Sequence, residues 1–472
     1  RYTPPSQTTS VRWKNPSTLA STTSTFDNFW ELFEDPLLSE LENKALSGNY
    51  SYKTALDRVA VARALAGVAK SALYPHISLN AGYDYSQEFV KFHGDKRKTL
   101  FPGLKDKLHI WEQDYSFPNI FTYELDLWGK RRSLYKSSIY QAQAEEDRAR
   151  SMLLTLTCDV ASQYFNIRTL DTQLDLLEQI AGLLQTALHL HRHRFASGLD
   201  NGLQLASSEK ALKDLEAEIE DTLRQRTLFE NALATLIGVS PYELNLPRAL
   251  LSRILPSIPV DLPSTLLKKR PDIAEAERTM ASRHALINMA YASYFPSLSL
   301  TGGGGISSVQ LQDFLNFKGY LWQVGANLVQ TIFDAGRNRS GLNAAKASFH
   351  YAEDSYKQVV LTAFQEVENA LNNLSQQEKQ GEKLKQSLQA AQKSAYLAEM
   401  RYQRGLVDKL SFIQHQKQAL QSERSLANVL GSRYQSTLNL IKALGGSWSR
   451  STAASSEIKR LPPLTYNKRS PS

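Results

Sequence analysis

The chain has 472 residues, of which 42% are hydrophobic and 22% are charged, and its net charge of +8 is spread along the whole sequence. These proportions are ordinary for a folded protein and exclude a largely disordered chain. No stretch approaches the roughly 20 apolar residues of a membrane-spanning helix, and the single cysteine, Cys158, excludes an intrachain disulfide and a cysteine metal cluster.

The two ends of the chain differ from the middle in composition. Of the first 25 residues, 15 are Ser, Thr or Pro, which predicts an extended N-terminal arm over residues 1–34. Residues 446–472 are again polar and contain proline, which predicts a flexible tail, with a strap across a neighbouring surface as the alternative. Between the ends we predict a first repeat over 35–240, a proline-rich linker over 241–271 and a second repeat over 272–445.

The repeats are visible as three pairs of matched blocks in the same order. The first pair is separated by 221 residues and the other two by 207, so the first copy contains 14 additional residues, between about Glu88 and Gln113. An insertion at this position predicts an exposed loop. The matched blocks are Tyr74–Leu79 with Phe295–Leu300, Gly129–Ser133 with Gly336–Ser340, and Arg194–Leu203 with Arg401–Leu410.

Each copy begins with a helix and continues with two strands. In the first copy the helix runs from Ser51 to about Ala72, and apolar and polar residues then alternate strictly, which is typical of a two-faced strand. A second alternating segment follows and ends at Gly129. The apolar positions of the two strands are Ile77, Leu79, Tyr83, Tyr85, Tyr115, Phe117, Phe121 and Tyr123.

A long helical hairpin completes each copy. From Lys130 to about Arg194 apolar residues recur about every 3.5 residues, the coiled-coil spacing, and a helix of that length extends for roughly 100 Å. The chain turns at residues 198–202 and returns as a helix from Leu203 to about Ile237. The second copy predicts a helix over Asp272–Tyr294, strands over Ser297–Gly302 and Trp322–Phe333, and helices over Arg337–Arg401 and Lys409–Leu444.

The strands indicate how the chain assembles. Four two-faced strands are too few to close a barrel, and open edges favour pairing with another copy. An apolar face opposite a polar face is the pattern of a membrane β-barrel, whose apolar residues contact lipid. Three chains supply twelve strands, enough to enclose a water-filled space. The sequence therefore predicts an α+β membrane protein, a homotrimer whose 12-stranded β-barrel, with four strands per chain, continues into a long α-helical coiled-coil barrel.

Three motifs carry a family resemblance, namely Glu124–Lys130, Leu262–Glu277 and Ile332–Arg337. They resemble those of the TolC-like outer-membrane efflux channels, the exit ducts of tripartite RND-type efflux systems, and the similarity extends from about Asp35 to Gly445. It implies a homotrimer in the outer membrane of a Gram-negative bacterium, with a long periplasmic portion. It also implies two protein partners, a periplasmic adaptor (membrane fusion) protein and an inner-membrane pump. The duct would conduct drugs or other small molecules to the outside passively, and it would need no cofactor.

The resemblance also implies a gate where the helices turn and the tunnel is narrowest. Leu410 and Gln414 lie four residues apart and therefore share a helix face, on which Leu410 would form an apolar ring in a trimer. A plain coiled-coil core role for Leu410 is the alternative. Related channels carry an acid at the position of Gln414, so Asp200 and Asp408 are the nearest acidic substitutes here. The implied gate residues are Tyr402, Leu410, Gln414, Leu203 and Gln204.

The tips of the two hairpins resemble the adaptor-contact tips of the family. They contain Gly198 and Leu199 in the first copy and Gly405 and Leu406 in the second. A purely structural role for the glycines is the alternative, because a sharp helix reversal requires a residue in the left-handed conformation.

Several charged residues near the strand ends have predicted roles. Glu124, Asp126 and Asp334 are expected to line the lumen or the junction between barrel and tunnel, where an acid stays hydrated. Arg270 is expected to be structural, bonding the linker to the ends of the helices.

Two further patterns favour ordinary structural roles. In the run His189, His191 and His193 only the first and last histidines share a helix face, which favours a solvated tip over a metal site. The cluster Gly302–Gly305 lacks the Lys-Ser/Thr of a phosphate-binding loop, which favours a strand end or hairpin.

Other functional classes find less support in the residues. No nucleophile and base occur at a recognisable spacing, which favours a protein that is not an enzyme and has no catalytic residues. The basic residues are not clustered as nucleic-acid binding requires. Within the same fold, the alternative function is an exit duct for type I protein secretion. A soluble coiled-coil scaffold is a further alternative, which leaves the amphipathic strands unexplained.

Overall fold

The computed structural model of the protein describes residues 28–91, 107–256, 258 and 270–446. None of the helices in these ranges is long and apolar enough to cross a membrane. A short 3-10 helix, Phe29–Phe33, comes first. The α-helices are α1 (Pro36–Gly48), α2 (Tyr50–Ser71), α3 (Lys130–Ala196), α4 (Gly202–Ile237), α5 (Pro271–Ala292), α6 (Leu311–Leu315), α7 (Arg337–Gln403) and α8 (Lys409–Leu444). The strands are β1 (His76–Leu79), β2 (Gly82–Lys91), β3 (Lys107–Leu125), β4 (Ser297–Ser308) and β5 (Tyr320–Val329).

The helical hairpins of the two repeats have identical lengths. Helices α3 and α7 each contain 67 residues, and α4 and α8 each contain 36 residues. Every boundary of the second hairpin lies 207 residues after its counterpart in the first, which is the offset between the repeated motifs. The predicted hairpins are thereby confirmed, and at about 1.5 Å per residue each longer helix extends for about 100 Å.

The sheet is four strands wide, as predicted, although five segments form it. β1 and β2 pair antiparallel with the same edge of β3 and in one continuous register, since Leu79 pairs with Asn119 and Gly82 with Ser116. The gap between them lies opposite Pro118, which accepts a backbone hydrogen bond of 3.1 Å but has no N–H to donate in return. β1 and β2 are therefore halves of one strand, followed across the sheet by β3, β4 and β5.

β4 runs through the glycine cluster Gly302–Gly305 and ends only at Ser308, so the expectation of a strand end or hairpin at these glycines is wrong. Gly305 pairs with Pro118 on β3. A Cβ atom on Gly305 would lie 2.3 Å from the carbonyl oxygen of Phe117. Only a residue without a side chain fits at this point of the strand pair.

Longer strands account for much of the insertion in the first repeat. β2 continues to Lys91 and β3 begins at Lys107, so the hairpin between them is longer than the hairpin between β4 and β5. The segment between Glu88 and Gln113, predicted to be an exposed loop, is thus partly strand. Residues 92–106 lie outside the described residues.

The main hydrophobic core lies where the 3-10 helix, α1, α3, α7 and α8 meet. The arm predicted over 1–34 ends in this 3-10 helix, whose Phe29 and Trp30 are buried, so its last residues belong to the core and are not extended. Residues 1–27 and the predicted tail beyond Gly446 lie outside the described residues.

A buried ion network ties the linker to the first hairpin. The Asp171 carboxylate, which is 1% exposed, accepts hydrogen bonds from Arg226 (2.6 Å), Arg168 (3.0 Å) and the backbone N–H of Ala249 (3.2 Å). Each of the two guanidinium groups also donates to a backbone carbonyl of the linker. Because buried charges are tolerated only when partners satisfy them, the network holds this part of the linker against α3 and α4.

Arg270 fastens the other end of the linker. Its guanidinium bonds the carboxylates of Asp272 (2.6 Å) and Glu366 (2.8 Å) and donates to the carbonyl oxygen of Ala443 (2.9 Å). These contacts join the start of α5 to α7 and to the end of α8, which is the structural role that the sequence predicted.

Glu42 in α1 is fully buried, and neither of its carboxyl oxygens has a hydrogen-bond partner in the described part of the chain. Burial raises the pKa of Glu42 from 4.5 to about 9, so the carboxyl group is neutral in the folded protein at pH 7. In the unfolded chain the same group ionises near its ordinary pKa. Between these two values the folded state therefore loses roughly 1.4 kcal/mol of stability for each pH unit of increase.

We predict that Glu42→Gln removes this pH dependence. Neutral Glu42 stabilises the fold fully below the pKa that Glu42 has in the unfolded chain. This contribution is lost as pH rises through the pKa of Glu42 in the folded protein. The variant should therefore be more stable than the parent at pH 8 and similar to it at pH 4. The midpoint of thermal unfolding in detergent, measured across that range, tests the prediction. Glu40→Gln on the same helix is the control, because Glu40 is exposed beside Lys44. Equal pH profiles for both variants would refute the assignment.

We predict that Asp171→Asn destabilises the protein by roughly 3–5 kcal/mol, because it removes the buried carboxylate that Arg168 and Arg226 share and leaves Arg226 paired with Glu230 alone. Chemical denaturation of the purified protein measures the change. Asp221→Asn is the matched control, since Asp221 pairs with Arg224 on the exposed face of α4 and its loss should have little effect. A loss of stability no greater than that of the control would contradict a structural role for the network.

Candidate functional site

The strand register places the apolar residues of all four strands on one face of the sheet. Ile77 pairs with Phe121, which pairs with Gly302, which in turn pairs with Val324 of β5. Directly opposed residues of neighbouring strands share a face, so this row and its equivalents at every second position form one continuous surface. Its large side chains are exposed in the single chain and include Ile77, Leu79, Tyr83, Tyr85, Phe117, Tyr320, Trp322, Val324 and Leu328.

The opposite face of the sheet is polar. Thr122 pairs with Thr301, and Glu124 pairs with Ser299, which pairs with Asn327 of β5. One acidic pair stands out, because Asp84 of β2 lies directly opposite Asp114 of β3.

Asp84 and Asp114 are functional candidates that the sequence interpretation did not select. Alternation placed both on the polar face, but only the register shows that two carboxylates oppose each other. The Ser307 hydroxyl of β4 donates a 2.5 Å hydrogen bond to Asp114. Directly opposed like charges destabilise a strand pair. Screening by water or a cation reduces this repulsion, so the opposed carboxylates can attract cations to this face of the sheet.

The three acids predicted to line the lumen lie where strands pass into helices. Glu124 forms an ion pair with Arg131, and the Asp126 carboxylate accepts the backbone N–H groups of Arg131 (3.0 Å) and Arg132 (2.8 Å). Burial alone would raise the pKa of Asp126, but these N–H groups and the Arg132 guanidinium outweigh it and hold the pKa below its usual range. The structure thus gives these side chains bonded roles at the start of α3.

Asp334 occupies the same junction in the second repeat. Its carboxylate accepts the backbone N–H groups of Gly336 (2.9 Å) and Asn338 (2.9 Å), at the start of α7. An anion at a helix N-terminus is favoured by the free N–H groups of the first turn. Asp126 and Asp334 therefore each bind free N–H groups at the start of a long helix, α3 and α7 respectively.

At the other end of the molecule the two hairpin tips have the same backbone geometry. Gly198 and Gly405 both have a φ of +71°, in the left-handed region. The N–H groups of Leu199 and Leu406 return to carbonyl oxygens five residues earlier, at 2.8 and 2.9 Å. This is the glycine-terminated helix end expected for a sharp reversal. It leaves Leu199 73% exposed and Leu406 64% exposed, so each tip presents one leucine outward.

The return helices are capped by equivalent residues. The Asn201 side chain accepts the backbone N–H of Gln204 (3.0 Å) at the start of α4, and the Asp408 side chain accepts that of Ser411 (2.9 Å) at the start of α8. Asp408 therefore has a capping role besides the electrostatic one expected for it.

Arg194 joins the two tips within one chain. Its guanidinium lies 3.7 Å from the Asp200 carboxylate of its own hairpin and 3.6 Å from the Asp408 carboxylate of the second hairpin. Asp200 is also bonded to the His191 ring (2.7 Å). This hydrogen bond lowers the pKa of Asp200, and the positive charge of the nearby Arg194 also lowers it. Burial acts in the opposite direction but does not outweigh them. The two acids expected to replace an anionic ring are thus partly neutralised by Arg194.

The predicted gate residues lie close to these tips but differ in exposure. Tyr402 stacks on Phe412 with ring centroids 5.7 Å apart, which fixes the last turn of α7 on the first turns of α8. Leu410 is half-buried, whereas Leu203 is 70% exposed. The remaining two gate residues, Gln204 and Gln414, are both exposed.

The described residues contain no group of three or more His, Cys, Asp or Glu side chains that could hold a metal ion. The histidine run nevertheless has a definite geometry. His189 and His193 approach each other through their Nε2 atoms at 3.0 Å, while His191 bonds Asp200 on another side of the helix.

Comparisons with known proteins agree with this architecture. The family model of the outer membrane efflux proteins matches residues 41–239 and 262–446. The pyoverdine export outer membrane protein OpmQ of Pseudomonas aeruginosa is 29% identical over 445 residues, which cover 93% of this chain and 91% of that protein. OprJ, an outer membrane protein of the same species, is 28% identical over 422 residues, covering 89% and 86%. The solved outer-membrane channel OprN superposes with a TM-score of 0.84 at 25% identity, covering 95% and 98%.

Proposed function

This chain belongs to the outer membrane efflux protein family, and we propose that it is the exit duct of a tripartite pump, gated at its helical tips. Family membership places the protein in the outer membrane with a transport role. It confirms the outer-membrane efflux channel predicted from the motifs and disfavours a soluble scaffold. The trimer arrangement, the gate and the partners are the proposed part.

The observation that carries the proposal is the sheet with two unlike faces and two open edges. In the described residues the β1–β2 edge and the β5 edge pair with no further strand of the chain. Three copies joined edge to edge make a closed ring of twelve strands, with the apolar face toward lipid and the polar face toward water. The long hairpins then continue the ring as a tunnel of helices through the periplasm.

The contacts of Arg194 support a closed state of the tunnel. The pair with Asp408 joins two hairpins of one chain at the tips, and Leu410 on the adjoining helix supplies an apolar ring in the trimer. An exposed ion pair is weak and is screened by salt, so these contacts favour closure without locking it. A partner that binds the separated tips more tightly than the closed ones shifts the population toward the open channel.

The exposed leucines of the tips support an adaptor as that partner. Leu199 and Leu406 occupy the same place in equivalent turns, so one adaptor surface can recognise both hairpins. Conduction itself is passive, with energy supplied by an inner-membrane pump. Relatives named for efflux and for pyoverdine export favour small molecules over proteins as cargo.

We predict that Leu410→Ser raises the single-channel conductance of the purified protein in planar bilayers severalfold, because it replaces an apolar ring at the constriction with a hydrated one. The parent channel is expected to be mostly closed. Leu361→Ser is the control, since Leu361 is exposed on α7 far from the tip and should leave conductance unchanged. Equal conductance of Leu410→Ser and the parent would remove Leu410 from the gate.

A protein that is monomeric in mild detergent would refute the duct itself.

We predict that Asp84→Asn combined with Asp114→Asn weakens cation selectivity, because it removes six carboxylates from the polar face of the trimer. The reversal potential across a salt gradient should move toward zero, most clearly at low ionic strength, where charges are least screened. Glu40→Gln, in α1 outside the sheet, is the control for a general change of charge. A reversal potential that stays at the value of the parent would show that these acids do not face the conducting water.

A further inference from the structure

The histidine run at the end of α3 contains a preformed pair of metal ligands. His189 and His193 are exposed, lie four residues apart on one helix face and bring their Nε2 atoms within 3.0 Å. Two histidines at this spacing on a helix are a known arrangement for binding one metal ion. Only two of the three histidines share a helix face, but two are enough to chelate an ion when water completes the coordination.

The available ligands indicate the kind of ion. The pair supplies two imidazole nitrogens, and because both side chains are exposed, water oxygens can fill the remaining positions. Tetragonal sites with nitrogen and oxygen ligands are typical of copper(II) and nickel(II), and copper(II) binds such ligands more tightly.

The electrostatic surroundings favour a cation at this place. The pair lies in the last two turns of a 67-residue helix, where the aligned peptide dipoles give the helix end a partial negative charge. The two cationic side chains that neighbour His193 in the sequence are compensated, since Arg192 lies 3.5 Å from Glu209 and Arg194 lies between Asp200 and Asp408.

We propose that His189 and His193 form a surface site for one copper(II) ion per chain. Both Nε2 atoms bind the ion, the ring that donated the hydrogen bond carries its proton on Nδ1 instead, and water supplies the remaining ligands. The site closes one turn of α3 directly ahead of Arg194, and its existence does not depend on the proposed transport function.

The test is a titration of the purified, untagged trimer with copper(II) in a non-coordinating buffer, followed by electron paramagnetic resonance. We expect a signal from two equatorial nitrogens at one ion per chain. Either His189→Ala or His193→Ala should weaken binding at least about tenfold, because a single imidazole loses the advantage of a linked second ligand. Zinc should compete poorly because copper(II) binds nitrogen and oxygen ligands more tightly than zinc does.

His191→Ala is the matched control, since His191 belongs to the same run but bonds Asp200. It should retain the two-nitrogen signal and its affinity. His189 and His193 are exposed and His191 is half-buried, so circular dichroism with the elution volume of the trimer verifies that each variant folds. Binding that survives the double substitution of His189 and His193, or that is lost equally in His191→Ala, would overturn the site, as would the absence of a two-nitrogen signal in the parent.

Discussion

The structure depends on one requirement of the bilayer, that every backbone N–H and C=O group within it be hydrogen-bonded by the protein. A sheet four strands wide satisfies its inner strands and leaves two edges open. In water, such open edges favour pairing with strands of another chain. In lipid they are strongly destabilising, because their N–H and C=O groups have no hydrogen-bond partner. The chain is therefore only one third of a stable membrane element, and the proposed trimer is the arrangement that satisfies both edges without additional strands. The helices, whose backbone groups are satisfied internally, carry no such requirement.

Within the sheet, one proline determines several neighbouring features. Pro118 interrupts the pairing with β1 and β2 on one side of β3 and faces Gly305 on the other. The missing N–H explains the two-residue gap, and the close approach of backbone to backbone explains the glycine. Neither feature is a defect of the barrel wall, since the register on both sides of the gap is unchanged.

The helices could be predicted from the sequence because their determinants are local and repeated. Coiled-coil spacing, glycine turns and a constant offset place both hairpins to within a few residues of their observed ends. The strands were harder to predict from the sequence. β5 ends at Val329 instead of near Phe333, and β4 passes through glycines that a single-sequence pattern assigns to a turn. The bonding of Arg194 to Asp408 joins residues 214 positions apart, which no local pattern contains. The same holds for the opposed pair of Asp84 and Asp114, because register depends on the whole sheet.

The near-identity of the two tips has a consequence for symmetry. Three chains with two hairpins each would present six turns of almost equal backbone shape, a pseudo-sixfold rim. The side chains reduce it to threefold, because the position equivalent to Asp200 is Val407 and the positions equivalent to His189 and His193 are Tyr396 and Met400. A ring-shaped partner with six equal subunits would therefore contact binding sites that alternate between polar and apolar. Its neighbouring subunits would have to bind in two distinct ways.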